Sequence, residues 1–491
     1  MAFDAVKNFI RRIKRLFTNN FIQTVPGIAK LQSVASERMF DDIDLWLNMY
    51  GGNAPWLKDN DQSLQLPAII ASEVARLVTL EMQVEVSGSP MADYINEMLE
   101  MIRKNARIIT EYACAGGGLI IKPCVGSEKI HPEFIQANAF FPISYNSSGK
   151  ITAAYFIYRH WEGKKVYSRL EKHELIGTIY VVTNEAYVST MEENLGKHCE
   201  LTEVAEWADI DPEVKIQSIE APLFAYFKIP IGNTTDMTSP LGVSVYSRAV
   251  DLIRDADEQY QSLMWEYRGG EMAIDASSDA FDTREGKPNL PKGKERLYRV
   301  NDLDAATLAG ASNELLKAWT PSLRDSNYIS GLNRVLIQIE DACCLSRGTL
   351  SDPSEAAKTA TEIKIMKQRS YTLIADIQQA FETAIEDYIY AVYVLAQLYD
   401  LSPDGKYTTN YKWDDSIIVD TEAEKLADQQ EVSQGLMQKW EYRVKWYGET
   451  EVQAKKILGE TKTMTDDEIL GFGNEPPVEG GDGADGDGDD E

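Results

Sequence analysis

From about residue 30 to residue 115, apolar positions recur mostly at helical spacing. Ile70, Val74, Leu77 and Val78 fall on one face of a helix that Pro67 is well placed to open. The pattern turns to strand alternation at Val84-Glu85-Val86 and stops at Gly88. A second helix is predicted from about Ala92 to Cys114, with Leu99, Ile102, Ile108 and Ile109 apolar. Gly116-Gly117-Gly118 breaks it, and Leu119-Ile120-Ile121 begins a strand. Further strands read as Ile151 to Arg159, Lys165 to Leu170 and Thr178 to Val182, with a turn at Asn146-Ser147-Ser148-Gly149. Strands at this spacing, with no helices between them, predict an antiparallel sheet.

The pattern returns to helical after residue 239. Tyr246, Val250, Ile253, Ala256, Tyr260, Met264 and Tyr267 recur at steps of three and four over 240–268, and Gly269-Gly270 ends the run. A loop-rich stretch follows over 271–322, with one strand near Leu297 to Val300. Residues 323–345 predict a helix with Tyr328, Leu332, Val335, Leu336 and Ile339 on one face. Then comes the short polar loop Leu345-Ser346-Arg347-Gly348-Thr349-Leu350-Ser351-Asp352-Pro353, in which Pro353 blocks continuation of the helix. The next helix runs from about Ser354 to Tyr399, which at full length spans on the order of 65 Å and suggests a radial rod in an assembly. A helical pair is predicted over 421–458, with a capping box at Thr421 and Glu424. The Gly/Asp-rich tail after Gly473 is predicted to be disordered.

At 491 residues the chain is long enough for more than one folded unit, and its 44% hydrophobic content supplies a sizeable core. The net charge of −29 is a poor match for a protein that wraps nucleic acid tightly, because phosphate binding needs clustered Lys and Arg. Two basic islands stand against it. One is the amphipathic N-terminus, where Lys7, Arg11, Arg12, Lys14 and Arg15 alternate with Phe9, Ile10, Ile13, Leu16 and Phe17. It lacks the continuous apolar core of a signal peptide and reads as a helix docked on protein. The other is Arg284, Lys287, Lys292, Lys294, Arg296 and Arg299, against Glu285 and Glu295. It reads either as a solvated loop or as a contact for an acidic partner or DNA. Five cysteines in no paired-ligand spacing predict free thiols in a reducing cytosol.

No chemistry-bearing motif stands out. The triple glycine lacks the spacing of a phosphate loop and precedes a strand instead of opening a helix. None of His131, His160, His173 and His198 has H-E-x-x-H spacing, so no metal and no cofactor are expected. The Asp-rich tail lacks the ordered positions of a calcium loop.

Four segments carry a resemblance. They are Ile69 to Val78; Gly117 to Pro123 followed by the strand-rich Ala139 to Arg159; Pro240-Leu241-Gly242-Val243-Ser244; and Gly348-Thr349-Leu350-Ser351 followed by Lys358-Thr359-Ala360-Thr361-Glu362. In this order they resemble the portal proteins of tailed bacteriophages, in particular long-tailed phages of Gram-positive hosts, over about residues 30–460. The resemblance implies an α+β, portal-like fold, mostly helical with an antiparallel β-rich wing, long stem and wing helices and a disordered acidic C-terminal tail. It divides the chain into a basic N-terminal segment (1–29), a wing (30–239), a first stem helix (240–268), a clip (269–322), a second stem helix (323–345), a tunnel loop (346–357), a long wing helix (358–406), a crown (407–473) and the tail (474–491).

The resemblance further implies a structural, non-enzymatic protein that forms a homo-oligomeric ring of about twelve copies at one capsid vertex. Such a ring is a conduit for viral double-stranded DNA in packaging and ejection. Ser346, Arg347, Gly348, Thr349, Ser351 and Asp352 would face the DNA, and small polar residues there would let it slide. Arg284, Lys287, Lys292, Lys294 and Arg296 would meet the terminase packaging motor or a head-completion adaptor. Major capsid and scaffolding proteins are the other implied partners. The implied location is the virion, after assembly in the host cytoplasm, with no stable membrane association. Two readings compete: a cytosolic hydrolase whose site is not linear in sequence, and a membrane-peripheral scaffold using the basic N-terminal helix.

Overall fold

The computed structural model describes residues 33–461, except 59–60, 81, 127–128, 192–194, 272, 354–359, 414–420 and most of 278–321, where four short strands are described. The basic N-terminus and the acidic tail lie outside the described residues. The chain forms two compact units that divide at Asp414/Asp415.

The described part of the first unit begins with helices. Helix α1 (Glu37–Tyr50) is capped by the Ser36 hydroxyl, which accepts from Met39 N, and it buries Met39, Phe40, Ile43, Trp46 and Met49. Helix α2 (Leu66–Thr79) carries Pro67 in its first turn and buries Ile70, Ala71, Val74, Ala75 and Val78. Strand β1 (Gln83–Ser87) alternates, with Val84 and Val86 inward. Helix α3 (Pro90–Gly116) is capped by Ser89 and stops at Gly117, whose φ of 86° lies in the left-handed region. A Cβ there would stand 2.4 Å from the Gly242 carbonyl oxygen, so two stretches of backbone meet where only glycine fits.

Two antiparallel sheets follow. In the first, β2 (Gly118–Val125) lies between β3 (Ile130–Gln136) and a later strand, β10 (Ala225–Lys228). The second runs β4 (Phe140–Tyr145), β5 (Ile151–Glu162), β6 (Lys165–Ile176), β7 (Ile179–Ser189) and β8 (Lys197–Cys199), and β9 (Glu213–Gln217) also pairs with β7. The Asn146 side chain closes the β4–β5 turn by accepting from the backbone N–H of Ser148 and Lys150. Between the sheets lies a buried ionic network. Lys122 Nζ on β2 stands 2.6 Å from Glu171 Oε1 and 3.2 Å from Glu133 Oε2. Glu171 also meets Arg169 at 3.1 Å and His173 Nε2 at 2.6 Å.

Residues 240–249 do not begin a stem helix as the periodicity suggests. Val245 N and Ser244 Oγ both donate to the Cys114 carbonyl, and the buried Tyr246 hydroxyl donates to the Trp46 carbonyl, so this stretch seals the end of α3. The regular helix α4 starts later (Val250–Gly269). Strand β11 (Ala273–Ser277) pairs in parallel with β14 (Tyr298–Asn301) and antiparallel with β15 (Leu316–Trp319). Strands β12 (Thr283–Arg284) and β13 (Lys287–Pro288) form a small hairpin.

Helix α5 (Asp325–Ala342) packs along α4, and α6 (Ala360–Leu398) follows the polar loop. The long helix expected from the sequence is present over 39 residues. From Leu373 to Ala396, α6 buries Ile374, Ile377, Phe381, Ile385, Tyr388, Ile389 and Val392, and Phe381 stacks on Phe227 at 4.6 Å. An apolar residue at almost every turn makes this part of the helix a core element against β10 and β2. Strand β16 (Thr408–Lys412) pairs with β1, so residues 408–412 belong to this unit and not to a separate crown.

Among the described residues, the second unit contains three helices where a pair is expected: α7 (Thr421–Ser433), α8 (Lys439–Tyr447) and α9 (Glu451–Thr461). Gly448, with φ 65°, ends α8 and separates it from α9. The capping box forms at Gln438 and Glu441. The side chains of Thr421 and Glu424 lie outside the described residues.

Candidate functional site

The polar loop after α5 is organised by one side chain. Glu340 lies in the last turn of α5 and is 0% exposed. Its Oε1 accepts from the backbone N–H of Leu350 (2.5 Å) and Ser351 (2.8 Å). Its Oε2 accepts from Ser351 Oγ (2.8 Å) and from Gly348 N (3.3 Å). A carboxylate has about four acceptor positions, and here all of them are turned to the loop. Asn333, two turns earlier on α5, accepts from Asp352 N at 2.7 Å.

The residues nominated for DNA contact divide accordingly. Thr349 and Asp352 are exposed. Arg347 is exposed but not free, since its guanidinium pairs with Asp341 at 2.9 Å, and Arg369 reaches the same carboxylate at 2.7 Å. The hydrogen bond from Arg347 and the nearby positive charge hold the Asp341 carboxyl below its usual range, against the opposing effect of burial. Ser346 Oγ lies 2.8 Å from Ser370 Oγ on α6. Gly348 lends its N–H to Glu340. Ser351 is 6% exposed and its hydroxyl is turned inward, so its assignment as a DNA-facing residue is corrected. Residues 354–357 of the expected tunnel loop lie outside the described residues.

Two further carboxylates fasten the helix pair to its surroundings. Asp257 on α4, 2% exposed, accepts from Trp56 Nε1 (3.0 Å), Ser63 Oγ (3.2 Å) and Leu64 N (2.9 Å). Glu266, near the end of α4, accepts from Arg324 Nε (3.1 Å), NH2 (2.8 Å) and N (3.2 Å), just before α5 begins. Periodicity alone did not single out these acids. The available signal was an acid in the apolar register: Asp257 beside Ile253 and Ala256, and Glu340 beside Ile337 and Ile339. Of the basic patch, Arg284 and Lys287 are cross-strand neighbours in the β12–β13 hairpin, whereas Lys292, Lys294 and Arg296 lie outside the described residues.

Residues 59–464 match the family described as "Phage portal protein, SPP1 Gp6-like". The chain belongs to this family. Portal proteins are structural components of the phage particle, and this one has the mixed helical and antiparallel architecture read from its sequence. No curated protein matches the portal chain. Among solved structures it is similar to a chain of the "Neck of native GTA particle computed with C12 symmetry", with 10% identity, a TM-score of 0.37, and coverage of 82% of this chain and 92% of that one. The family membership rests on the sequence match.

The family match gives no support to the hydrolase alternative. Burial pushes the Cys124 thiol up to about 12, and it donates to Glu133 at 3.2 Å. Cys343 is likewise pushed up to about 12 by burial, so both remain protonated and poorly nucleophilic. Among the described residues, no group of three or more His, Cys, Asp or Glu is placed to hold a metal ion. Among the described residues, no helix is long and apolar enough to cross a membrane.

Proposed function

We propose that this portal protein forms a closed homo-oligomeric ring at one capsid vertex, through which double-stranded DNA is packaged and later ejected. The observation that carries the reading is the α4–α5 pair. Its inner faces pack on each other, yet Trp265 (69% exposed), Tyr267, Leu323 and Ile329 remain on the outside. Large apolar side chains left exposed on and beside a helix pair suit burial against a neighbouring copy.

In this reading α4 and α5 lie in the stem, 269–322 is the clip and 346–357 the channel-facing loop. Thr349 and Asp352 are exposed loop residues placed to meet passing DNA. The pairing of Arg347 with Asp341 leaves little free positive charge to hold a phosphate, which favours sliding over binding. Arg284, Lys287, Lys292, Lys294 and Arg296 would serve a separate packaging motor or a head-completion adaptor. Capsid and scaffolding proteins would surround the ring, which would assemble in the host cytoplasm and carry no catalytic activity of its own.

The test is native mass spectrometry of the full chain with negative-stain imaging. A ring of about twelve copies with a central hole is expected. A persistent monomer or dimer, even when capsid and scaffolding proteins are co-expressed, would overturn the reading.

A further inference from the structure

A fully buried carboxylate is costly unless its lone pairs are satisfied. Glu340 is satisfied entirely by residues 348–351, through three backbone N–H groups and one hydroxyl. The dependence runs both ways. The Gly348, Leu350 and Ser351 amides would otherwise be left without these acceptors in a partly buried setting. Charge-assisted hydrogen bonds of this kind are roughly twice as strong as neutral ones. Ser351 Oγ ties the turn further, accepting from Gly348 N at 3.1 Å while donating to Glu340. Thr349 closes the same turn, donating through N and Oγ1 to the Ser346 carbonyl at 3.2 and 2.6 Å.

We propose that Glu340 is the positioning residue of the channel loop: its carboxylate clamps residues 348–351 to α5, so that Thr349 and Asp352 keep a fixed stance and move only with that helix. The functional half of this inference rests on the assignment of the loop to the DNA path. Glu340 itself is sealed from solvent and would never touch DNA. It would act through the loop it holds. A neutral amide of the same shape cannot replace it, because a glutamine presents one NH2 group to a site furnished with donors.

The test uses full-length assembled protein carrying Glu340→Gln or Ser351→Ala, the second variant leaving α5 untouched. Hydrogen–deuterium exchange is measured over 345–353, and DNA content is measured in heads built with each variant. Exchange in the loop is expected to rise about tenfold or more in Glu340→Gln and less in Ser351→Ala, with α4 and the sheets unchanged. Heads with intact rings should then contain less DNA. Unchanged loop exchange in both variants would overturn the clamp. Exchange rising throughout the molecule in both would also overturn it, since Glu340 and Ser351 would then serve the fold in general. A loosened loop with normal DNA content would leave the clamp standing and remove the loop from the DNA path.

Discussion

Lys122 shows how a charged residue can be made part of a core. Burial by itself favours its neutral form, but the carboxylates of Glu171 and Glu133 outweigh that effect and raise its pKa. Burial likewise opposes ionisation of Glu171, yet the hydrogen bond to His173 and the charges of Lys122 and Arg169 hold it well below the usual carboxylate range. His173 is lowered by burial, against the pull of Glu171. Both depressed groups act in one direction. Their stabilisation is present above the unfolded-state values and is lost as pH falls, beginning below about 6.5 for His173 and below about 4.3 for Glu171. Lys122→Ala removes one partner of a buried pair and is expected to cost about 3–5 kcal/mol at neutral pH. It should also flatten the acid limb, because Glu171 loses part of what depresses it. Denaturant unfolding at pH 7 and pH 4 reads both effects, and a loss of the same size at the two pH values would contradict this account. This network was not legible from local pattern, because Lys122 and Glu171 are 49 positions apart and are joined only by sheet stacking.

The elements themselves were more legible than their contacts. Helix α3, its glycine stop and the strand after it followed from local pattern, because breaker residues and apolar spacing act over a few positions. What local pattern cannot give is that Gly117 lies against Gly242. A Cβ on Gly242 would come 2.1 Å from the Gly117 carbonyl oxygen, the reverse of the clash at Gly117. Two stretches that stood out separately in the sequence thus form one junction. Gly117→Ala combines that overlap with an unfavourable left-handed φ, so a loss above about 2 kcal/mol is expected. Gly242→Ala should be similarly harmful, and the double variant should fall short of the sum, since both open the same gap. Additive losses in a double-mutant cycle would show that the two sites fail independently. The late start of α4 has the same origin, because the periodicity before Val250 is real but those residues are bonded to α3.

On the scale of the whole molecule, charge and assembly have to be reconciled. The chain carries −29, and the proposed ring would multiply that figure by its number of copies. Such a field repels DNA in general, so free rings should bind duplex DNA weakly and with a shallow dependence on salt. Fluorescence anisotropy across a salt series tests this. Tight binding with a steep slope would mean that positive charge is concentrated along the DNA path and that passage is not low in friction. The second unit points to assembly as well. Among its described side chains only Ala454 and Asp428 are buried, while Leu426, Leu436 and Tyr447 are exposed.

The pairing of β1 with β16 has a consequence in time. Glu85 and Asn410 are partners, so one strand leaves the ribosome about 325 residues before the other, a delay of roughly 16–65 s at the usual pace of bacterial translation. Until then the outer edge of β1 has no mate, and the first unit cannot close. The first unit therefore reaches its final fold only after residues 408–412 have been made, and a chain stopped short of them keeps β1 unpaired.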